Sequence, residues 1–288
     1  MNKNKITLII LTVIICLLIV GTVGLLAYGI ATTEEIETRT VITAILIIIS
    51  AVISLIKLYT NKKPQRDAAK FYRAEFSEII GDAFTADKAR EKRFFDGVHE
   101  WNKSRFQNAL AIFDNVMKEA TKASERFAVL FFSAMCYDDM KIYEKAATLY
   151  EQALLVKGNS SAASNLGICY ERMGKPEKAT EAYERAIYID PENPYSYNNL
   201  AQSLVKQGRF DEAIKWAKDA INRKSNMYQA HSALAVCYAM TDCREEYEAE
   251  YRLAVANGAN GNMLKDYIKS LMDSELDEEY GEDDGDLE

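Results

Sequence analysis

The chain has 288 residues, 49% of them apolar, and a formal net charge of −8. The charge is unevenly placed: residues 67–272 carry 28 Lys or Arg against 30 Asp or Glu, whereas residues 273–288 carry ten acidic groups and no basic one. A nearly neutral central region lacks the basic stripe that neutralises phosphates, so the composition excludes a nucleic-acid-binding protein. With four prolines and thirteen glycines, a collagenous or turn-rich β chain is also excluded.

Two apolar runs at the amino terminus predict a transmembrane hairpin. Residues 6–30 contain no charged side chain, and residues 41–59 contain only Lys57, near the end of the run. Each run approaches or exceeds the roughly twenty helical residues that a bilayer core requires. The first run is too long for the apolar core of a secretory signal peptide, so we interpret it as a span rather than a cleaved leader. An extracytoplasmic loop is predicted at 31–40.

Basic residues beside the two runs predict the orientation of the hairpin. Two lysines precede the first run, and Lys62, Lys63 and Arg66 follow the second. Because short cytoplasmic flanks are enriched in Lys and Arg, both termini are predicted to face the cytoplasm. No ionisable residue lies in the middle of either run, which favours anchoring over transport. We expect an integral membrane protein that contacts lipid through residues 6–59, and the Ile-, Asn- and Lys-rich sequence is compatible with a bacterial plasma membrane.

The following segment, residues 60–89, is predicted to be a juxtamembrane linker or helix. Its apolar residues recur at helical spacing, and Gly81 is suited to end such a helix. The residues predicted to share the apolar face are Ala69, Tyr72, Phe76, Ile79 and Ile80.

Beyond this segment the sequence repeats itself. In the clearest unit, residues 160–193, the recurring positions hold Leu166, Gly167, Tyr170, Ala179, Tyr183, Ala186 and Pro191. Units that start 34 and 68 residues later hold, in the same positions, Leu200, Ala201, Leu204, Ala213, Ala217, Ala220 and Ser225, and then Leu234, Ala235, Tyr238, Tyr247, Tyr251 and Ala254. Two weaker upstream units hold Ser133, Ala134, Tyr137, Ala146, Tyr150 and Ala153, and Gly97, Ala109 and Phe113. A fixed period of about 34 residues indicates a stacked array of small structural units.

This pattern closely resembles the tetratricopeptide repeat family over residues 160–261, and the two upstream units extend the array to about five repeats over residues 90–261. The resemblance implies an all-α fold, a right-handed α-solenoid of about five helix pairs, with a concave groove lined by the first helix of each pair. The sequence departs from the family pattern at Asp96 and Glu100 in the first unit and at Tyr247 in the last. Terminal units of an array are commonly atypical, because one side has no neighbouring repeat.

Local chemistry supports helix pairs joined by tight turns. Gly174 is suited to end one helix, and Pro176 is suited to begin the next. Small residues such as Gly167 and Ala179 are expected where the two helices of a pair come close together.

The carboxyl terminus is predicted to contain a capping helix and an acidic tail. Residues 262–276 place Met263, Leu264, Ile268, Leu271 and Met272 on one face, as expected of a helix that packs on the last repeat. The high charge of residues 277–288 predicts disorder, with either a solvated terminus or an intramolecular ligand mimic as its role.

We find no arrangement of residues that predicts catalysis, so the sequence predicts neither an enzyme nor a cofactor. Cys136, Cys169 and Cys237 occupy the same position of different repeats, which favours packing over a disulfide or metal role. His99 and His231 stand in different repeats without a metal-binding or catalytic motif, so no metal site is predicted.

The resemblance also implies a site for a protein or peptide ligand. Asn165 and Asn199 occupy position six of adjacent repeats, where asparagine contacts the ligand backbone in peptide-binding members of the family. A side-chain amide can donate to a carbonyl and accept from an N–H, which suits an extended peptide. Capping or solvating the first helices is the alternative role for these amides. The same groove, predicted to be apolar and uncharged, would also contain Phe131, Met135, Ser164, Ile168, Asn198, Gln202, Ser232 and Val236.

The predicted function is that of a membrane-anchored, non-catalytic scaffold that binds a protein or extended peptide partner in the cytoplasm. The alternative is a regulatory or assembly subunit of a membrane transport or secretion complex, in which the hairpin makes the functional contact. The sequence specifies neither the partner nor the oligomeric state.

Overall fold

A computed structural model describes the backbone of residues 70–281 and the side chains of residues 70–274. The chain divides into two units after Tyr72, and the account below concerns the second. The predicted hairpin and its loop, residues 6–59, lie outside the described residues. Among residues 70–281, no helix combines the length and the apolar character that crossing a bilayer requires.

The array contains five antiparallel helix pairs followed by one further helix, which confirms the predicted all-α solenoid of tetratricopeptide type. A short helix, α1, precedes the array at Ser77–Ile80. The pairs are α2 (Lys88–Asn102) with α3 (Phe106–Glu119), α4 (Ala123–Asp139) with α5 (Tyr143–Val156), α6 (Ser160–Arg172) with α7 (Pro176–Ile189), α8 (Pro194–Lys206) with α9 (Phe210–Arg223), and α10 (Tyr228–Met240) with α11 (Arg244–Ala256). The final helix, α12, spans Gly261–Gly281. We number the pairs as repeats 1 to 5.

Each repeat turns between its helices at the same position of the period. Gly174 and Gly208 adopt left-handed backbone angles there, with φ of 66° and 70°. The equivalent residues of the other repeats are not glycine but also have positive φ, and these are Ser104, Lys141 and Asp242. A shared left-handed residue stops the first helix and directs the chain back along it, so the turn geometry recurs even where glycine does not.

Close contact inside a repeat depends on a small residue in the first helix. A Cβ atom added to Gly167 would lie 2.5 Å from Cε1 of Tyr183, and one added to Gly97 would lie 2.6 Å from Cε1 of Phe113. In repeat 3, the ring of Tyr183 on the second helix therefore packs directly over the backbone of the first. This contact explains why large aromatic residues and small residues alternate in the repeated pattern.

The first helices form the inner side of the array. They contact one another between repeats 1 and 2, between 3 and 4, and between 4 and 5. Outside its own repeat, each of the first four second helices contacts the first helix of the next repeat. Helix α12 continues this arrangement, because it packs on α10 much as another first helix would. The inner face is therefore built from side chains of α2, α4, α6, α8 and α10.

The last helix is longer than the capping helix predicted at residues 262–276. It continues to Gly281, five residues into the range predicted to be a disordered tail. Residues 277–280 contain no Gly or Pro, so nothing in the local sequence stops the helix before Gly281. Residues 282–288 lie outside the described part of the chain.

A groove with one covered and one open half

Two neighbouring positions of every first helix, five and six of the repeat, point to the inner side of the array. Repeats 1 and 2 carry aromatic residues in these positions, whereas repeats 3 and 4 carry polar ones and repeat 5 carries small ones. The pairs in order are Phe94 and Phe95, Phe131 and Phe132, Ser164 and Asn165, Asn198 and Asn199, and Ser232 and Ala233.

Residues 73–87, the covering segment, pack on the aromatic half of the groove. The ring of Phe84 stacks on Phe94 of α2 with centroids 4.6 Å apart. The ring of Phe76 meets Phe132 of α4 edge-on at 5.0 Å. Phe84 is fully buried, as are Phe94 and Phe132. The chain itself therefore fills the inner face of repeats 1 and 2 with apolar contacts, the dominant favourable term in folding.

Polar contacts hold the first part of the covering segment. At one end, Nη2 of Arg73 lies 2.5 Å from Oε1 of Glu91 on α2. Further along, Nδ2 of Asn159 donates to Oε1 of Glu78 at 2.6 Å, and Nζ of Lys157 donates to the carbonyl oxygen of Glu78 at 3.3 Å. Asn159 also caps α6, because its Oδ1 accepts from the N–H of Ala162 at 2.9 Å. The segment thus reaches from repeat 1 to the start of repeat 3.

This arrangement differs from two predictions. Residues 60–89 were predicted to link the hairpin to the array, but residues 73–87 are a packed part of the array. Phe131 was predicted to line the ligand groove, yet its side chain is 2% exposed and its ring contacts Tyr150 edge-on at 5.6 Å. The aromatic rings of the two repeats bury one another, so Phe131 packs within the aromatic half of the groove. Met135, predicted beside it, is half-buried.

The inner face of repeats 3 and 4 carries the two predicted asparagines, and both are half-buried. Nδ2 of Asn165 donates to the hydroxyl oxygen of Tyr150 at 3.2 Å, which leaves its second N–H and its carbonyl oxygen without a partner among the described residues. The side chain of Asn199 makes no hydrogen bond within the described part of the chain. Burial raises the pKa of the Tyr150 hydroxyl well above its ordinary value, so this group stays protonated. Both amides therefore keep hydrogen-bonding groups that no described residue uses.

The inner face of repeats 3 to 5 is called the open half of the groove. The other predicted groove residues form either its wall or its floor. Ile168, Gln202 and Ser232 are half-buried and face the groove. Ser164, Asn198 and Val236 are 8%, 4% and 2% exposed, so they form its floor. The described residues of repeats 3 to 5 therefore bring together eight of the ten predicted groove residues.

A pocket closes the carboxyl end of the open half. It has a volume of about 280 Å³ and lies between α8, α10 and the capping helix α12. Three of the predicted residues line it, namely Gln202, Ser232 and Val236. The other lining residues were not predicted, and they are Val205, Lys206, Tyr228, Gln229, Ala233, Leu264 and Tyr267. The capping helix therefore contributes directly to the groove.

The sequence analysis predicted an uncharged groove, but the structure places a carboxylate beside it. Asp138, near the end of α4, is half-buried and lies close enough to Tyr150 to affect its titration. Burial, and next the negative charge of Asp139, raise the pKa of the Asp138 carboxyl, and Arg172 opposes them more weakly. The repeat register could have identified this residue, since Asp138 has the same repeat position as Trp101, which lies under the covering segment beside Phe76.

The cysteines and His231 have packing roles in the structure. Cys136, Cys169 and Cys237 are buried free thiols, and burial raises the pKa of each to about 12. Nδ1 of His231 lies 2.6 Å from Oε2 of Glu250, and Nε2 lies 2.9 Å from the carbonyl oxygen of Ser225, so the ring joins α10 to α11. Within the described residues, no group of three or more His, Cys, Asp or Glu side chains could hold a metal ion.

Comparison with known proteins identifies the repeats. Two family models, both described as tetratricopeptide repeat, match residues 160–226 and residues 198–262. Residues 160–262 are therefore confirmed as tetratricopeptide repeats. None of the curated proteins matches this chain in sequence.

Solved structures support the same fold over a longer part of the chain. A crystal structure of MamA has a TM-score of 0.51 and 19% identity, and the match covers 56% of this chain and 93% of that one. A double mutant of MamA RS-1 has a TM-score of 0.52 at 12% identity, over 59% and 94% of the two chains. YrrB, described as a TPR protein with an unusual peptide-binding site, has a TM-score of 0.50 at 18% identity, over 66% and 97%. At these identities the likeness shows the fold.

Proposed function

We propose that this protein is a non-catalytic scaffold that binds an extended peptide segment of a partner protein in the open half of its groove. The observation that carries the proposal is the difference between the inner faces of repeats 1 and 2 and of repeats 3 and 4. The chain covers the inner face of repeats 1 and 2, whereas the amides of Asn165 and Asn199 keep unused hydrogen-bonding groups on the inner face of repeats 3 and 4.

The chemistry of these amides suits a peptide backbone. An extended peptide presents N–H and C=O groups at every residue, and each needs a partner when it leaves water. Asn165 and Asn199 stand at the same position of adjacent repeats, so one peptide running along the groove could reach both. YrrB, which shares the fold, is described as a peptide-binding protein, and this description is consistent with such a role.

We further propose that the scaffold is anchored in a membrane by the hairpin of residues 6–59, with both termini in the cytoplasm. The support is the length of the two uncharged or nearly uncharged runs, together with the basic residues beside them. Anchoring would concentrate the recruited partner at the bilayer. Membrane fractionation, combined with a reporter fused after Glu288, tests both the anchor and the orientation. An extracellular reporter would reverse the proposed side of the membrane, and a protein that is released by salt alone would remove the anchor.

Peptide selection tests the binding function. The full-length chain, purified in a mild detergent, is used to select binders from a displayed library of random dodecapeptides, and their affinities are measured by fluorescence anisotropy. The Asn165→Ala/Asn199→Ala variant is expected to lower affinity about tenfold or more, since each lost hydrogen bond at a peptide backbone costs on the order of 1 kcal/mol. The matched control is Asn108→Ala/Asn222→Ala, which changes two exposed asparagines on second helices. Equal affinity of both variants for the selected peptides would rule out the groove as the binding site.

A further inference from the structure

Two features of the open half-groove suggest which peptide it would accept. One is the carboxylate of Asp138 at the amino end of the open half, and the other is the pocket beside the capping helix at its carboxyl end. The inference drawn from them rests on the proposed function, because it concerns the ligand of the same groove.

The carboxylate of Asp138 makes no hydrogen bond and no ion pair within the described residues, although the residue is half-buried. Two other acidic side chains of this region have partners of their own. The carboxylate of Asp139 accepts from Nε1 of Trp101 at 2.6 Å. Glu171 pairs with Lys206, with Oε2 and Nζ 2.5 Å apart. Arg172 influences Asp138 without forming an ion pair with it.

A half-buried carboxylate without a partner is costly, and a cation that approaches from the groove would relieve that cost. Asp138 lies beside the site of Asn165, because both residues act on the hydroxyl of Tyr150. A peptide held by the Asn165 amide would therefore pass close to this carboxylate. A lysine or arginine side chain of that peptide is the complementary group.

The pocket at the other end is chiefly apolar. Leu264 and Val236 form its interior, and Tyr228 and Tyr267, each 40% exposed, stand at its border. Its volume of about 280 Å³ exceeds that of any single side chain, so an apolar or aromatic side chain can enter it. Burial of such a side chain provides affinity that the amides alone would not supply.

The distance between the two features sets the spacing in the ligand. Asp138 belongs to α4, and the pocket lies between α8 and α10, so two to three helix spacings separate them. With about 9 Å between adjacent packed helices and about 3.3 Å per residue of an extended peptide, this span corresponds to roughly six or seven residues.

We propose that the open half-groove selects an extended peptide that places a lysine or arginine against Asp138 and an apolar side chain, about six or seven residues away, in the pocket beside α12. The cation and the apolar residue together define the ligand class, and the two asparagines bind the backbone between them.

The peptides selected by the full-length chain test this proposal directly. The recovered sequences are expected to be enriched in Lys or Arg and in a large apolar residue at the stated spacing. Asp138→Asn should weaken the selected peptides about tenfold, as expected when one partner of a partly desolvated charge pair is removed. A selection repeated with Asp138→Lys should replace the basic preference by an acidic one. The control is Asp114→Asn, an exposed carboxylate on a second helix.

A separate substitution tests the role of the pocket. Ser232→Leu should fill the space and remove the apolar preference while the basic preference remains, and thermal unfolding followed by circular dichroism verifies that each variant is folded. Selected peptides that depend on Asn165 and Asn199 but show no basic preference, or keep it with Asp138→Asn, would overturn the inference and leave the proposed function intact. A library that yields no binder, or binders indifferent to the asparagine pair, would overturn both.

Discussion

The two halves of the groove have the same backbone scaffold but different occupants. In repeats 1 and 2, positions five and six carry phenylalanine, and residues 73–87 of the same chain lie over them. In repeats 3 and 4, the same positions carry serine and asparagine, and no described residue pairs with the amide of Asn199. The helices, turns and spacing are alike in both halves. The side chains at two positions per repeat therefore determine whether a groove face is filled permanently or stays available.

Removing an apolar contact from the covered half should lower the free energy of unfolding more than any other change considered. Phe84→Ala is expected to reduce the free energy of unfolding by about 3–5 kcal/mol, because a fully buried ring that stacks on Phe94 is lost and a cavity remains. Ile168→Ala in the open half is the control and should cost less than about 2 kcal/mol, since Ile168 is half-buried. Urea unfolding followed by circular dichroism measures both. Equal losses would mean that the two halves contribute alike to stability.

A charge buried in the covered half gives the second test. Glu125 is 1% exposed. Both of its carboxylate oxygens accept from Nη1 of Arg90, and Oε2 also accepts from the N–H groups of Thr121 and Lys122. Glu125→Gln should cost about 3 kcal/mol, because Arg90 is left without its buried partner. Glu212→Gln, in the exposed pair with Arg209, should change stability much less, because solvent screens this pair.

The same carboxylate predicts a dependence on pH. Burial alone would raise the pKa of Glu125, but the backbone N–H groups of Thr121 and Lys122, together with Arg90, hold it below the ordinary value of 4.5. Because the folded-state pKa is lowered, the stabilisation is complete above the ordinary value of 4.5 and is lost as the pH falls from there through the folded-state pKa. Unfolding titrations from neutral to acidic pH should show this loss in the native protein and a smaller one in Glu125→Gln. A stability that is independent of pH over this range would contradict the assignment.

A third test concerns the junction between the halves. Asn159→Ala removes both the cap of α6 and the hydrogen bond to Glu78, so we expect a loss of roughly 2 kcal/mol. Asn193→Ala is the matched change one repeat later. Asn193 caps α8 through the N–H of Tyr195, and its Nδ2 donates to Oγ of Ser160 at 3.4 Å, a longer contact than the 2.6 Å one between Asn159 and Glu78, so its loss should be nearer 1 kcal/mol. Thermal unfolding distinguishes them. If the two variants melt together, the contact with Glu78 does not stabilise the junction.

The smallest effect is expected in the open half. Asn199→Ala should change the free energy of unfolding by no more than about 0.5 kcal/mol, because its amide has no partner among the described residues. Asn165→Ala should cost about 1 kcal/mol, since the buried hydroxyl of Tyr150 loses its donor. Both should nevertheless weaken the selected peptides. An Asn199 variant that is strongly destabilised would show that this residue serves the fold and not a ligand.

The sequence alone predicted the array but not what covers it. The register of Gly167, Tyr183 and their counterparts predicted five helix pairs and their turns, because packing inside a repeat depends on residues sixteen positions apart. Asn165 and Asn199 could be placed on the inner face by the same register. The capping helix was predicted from its apolar face, although it extends to Gly281 and lines the pocket through Leu264 and Tyr267.

The covering segment was missed because its contacts do not follow the repeat. Glu78 and Asn159 lie 81 residues apart, and no periodic pattern connects them. A signal was nevertheless present: Phe94, Phe95 and Phe132 stand where repeats 3 and 4 carry polar residues. Aromatic residues on a face that should bind water or a ligand require a permanent apolar cover, and the preceding Phe76 and Phe84 provide it. Asp138 was missed because a single carboxylate at a helix end resembles any solvated charge.

The Glu78–Asn159 contact also affects how the array can be shortened or rearranged. Repeats at the carboxyl end could be removed or exchanged with their capping helix as interchangeable modules, since each contacts chiefly its neighbours. Repeats 1 and 2 are not modular in this sense, because separating them from residues 73–87 would expose Phe94, Phe132 and Trp101 to water. Shortening the array from its amino end therefore has to remove residues 73–87 together with repeats 1 and 2.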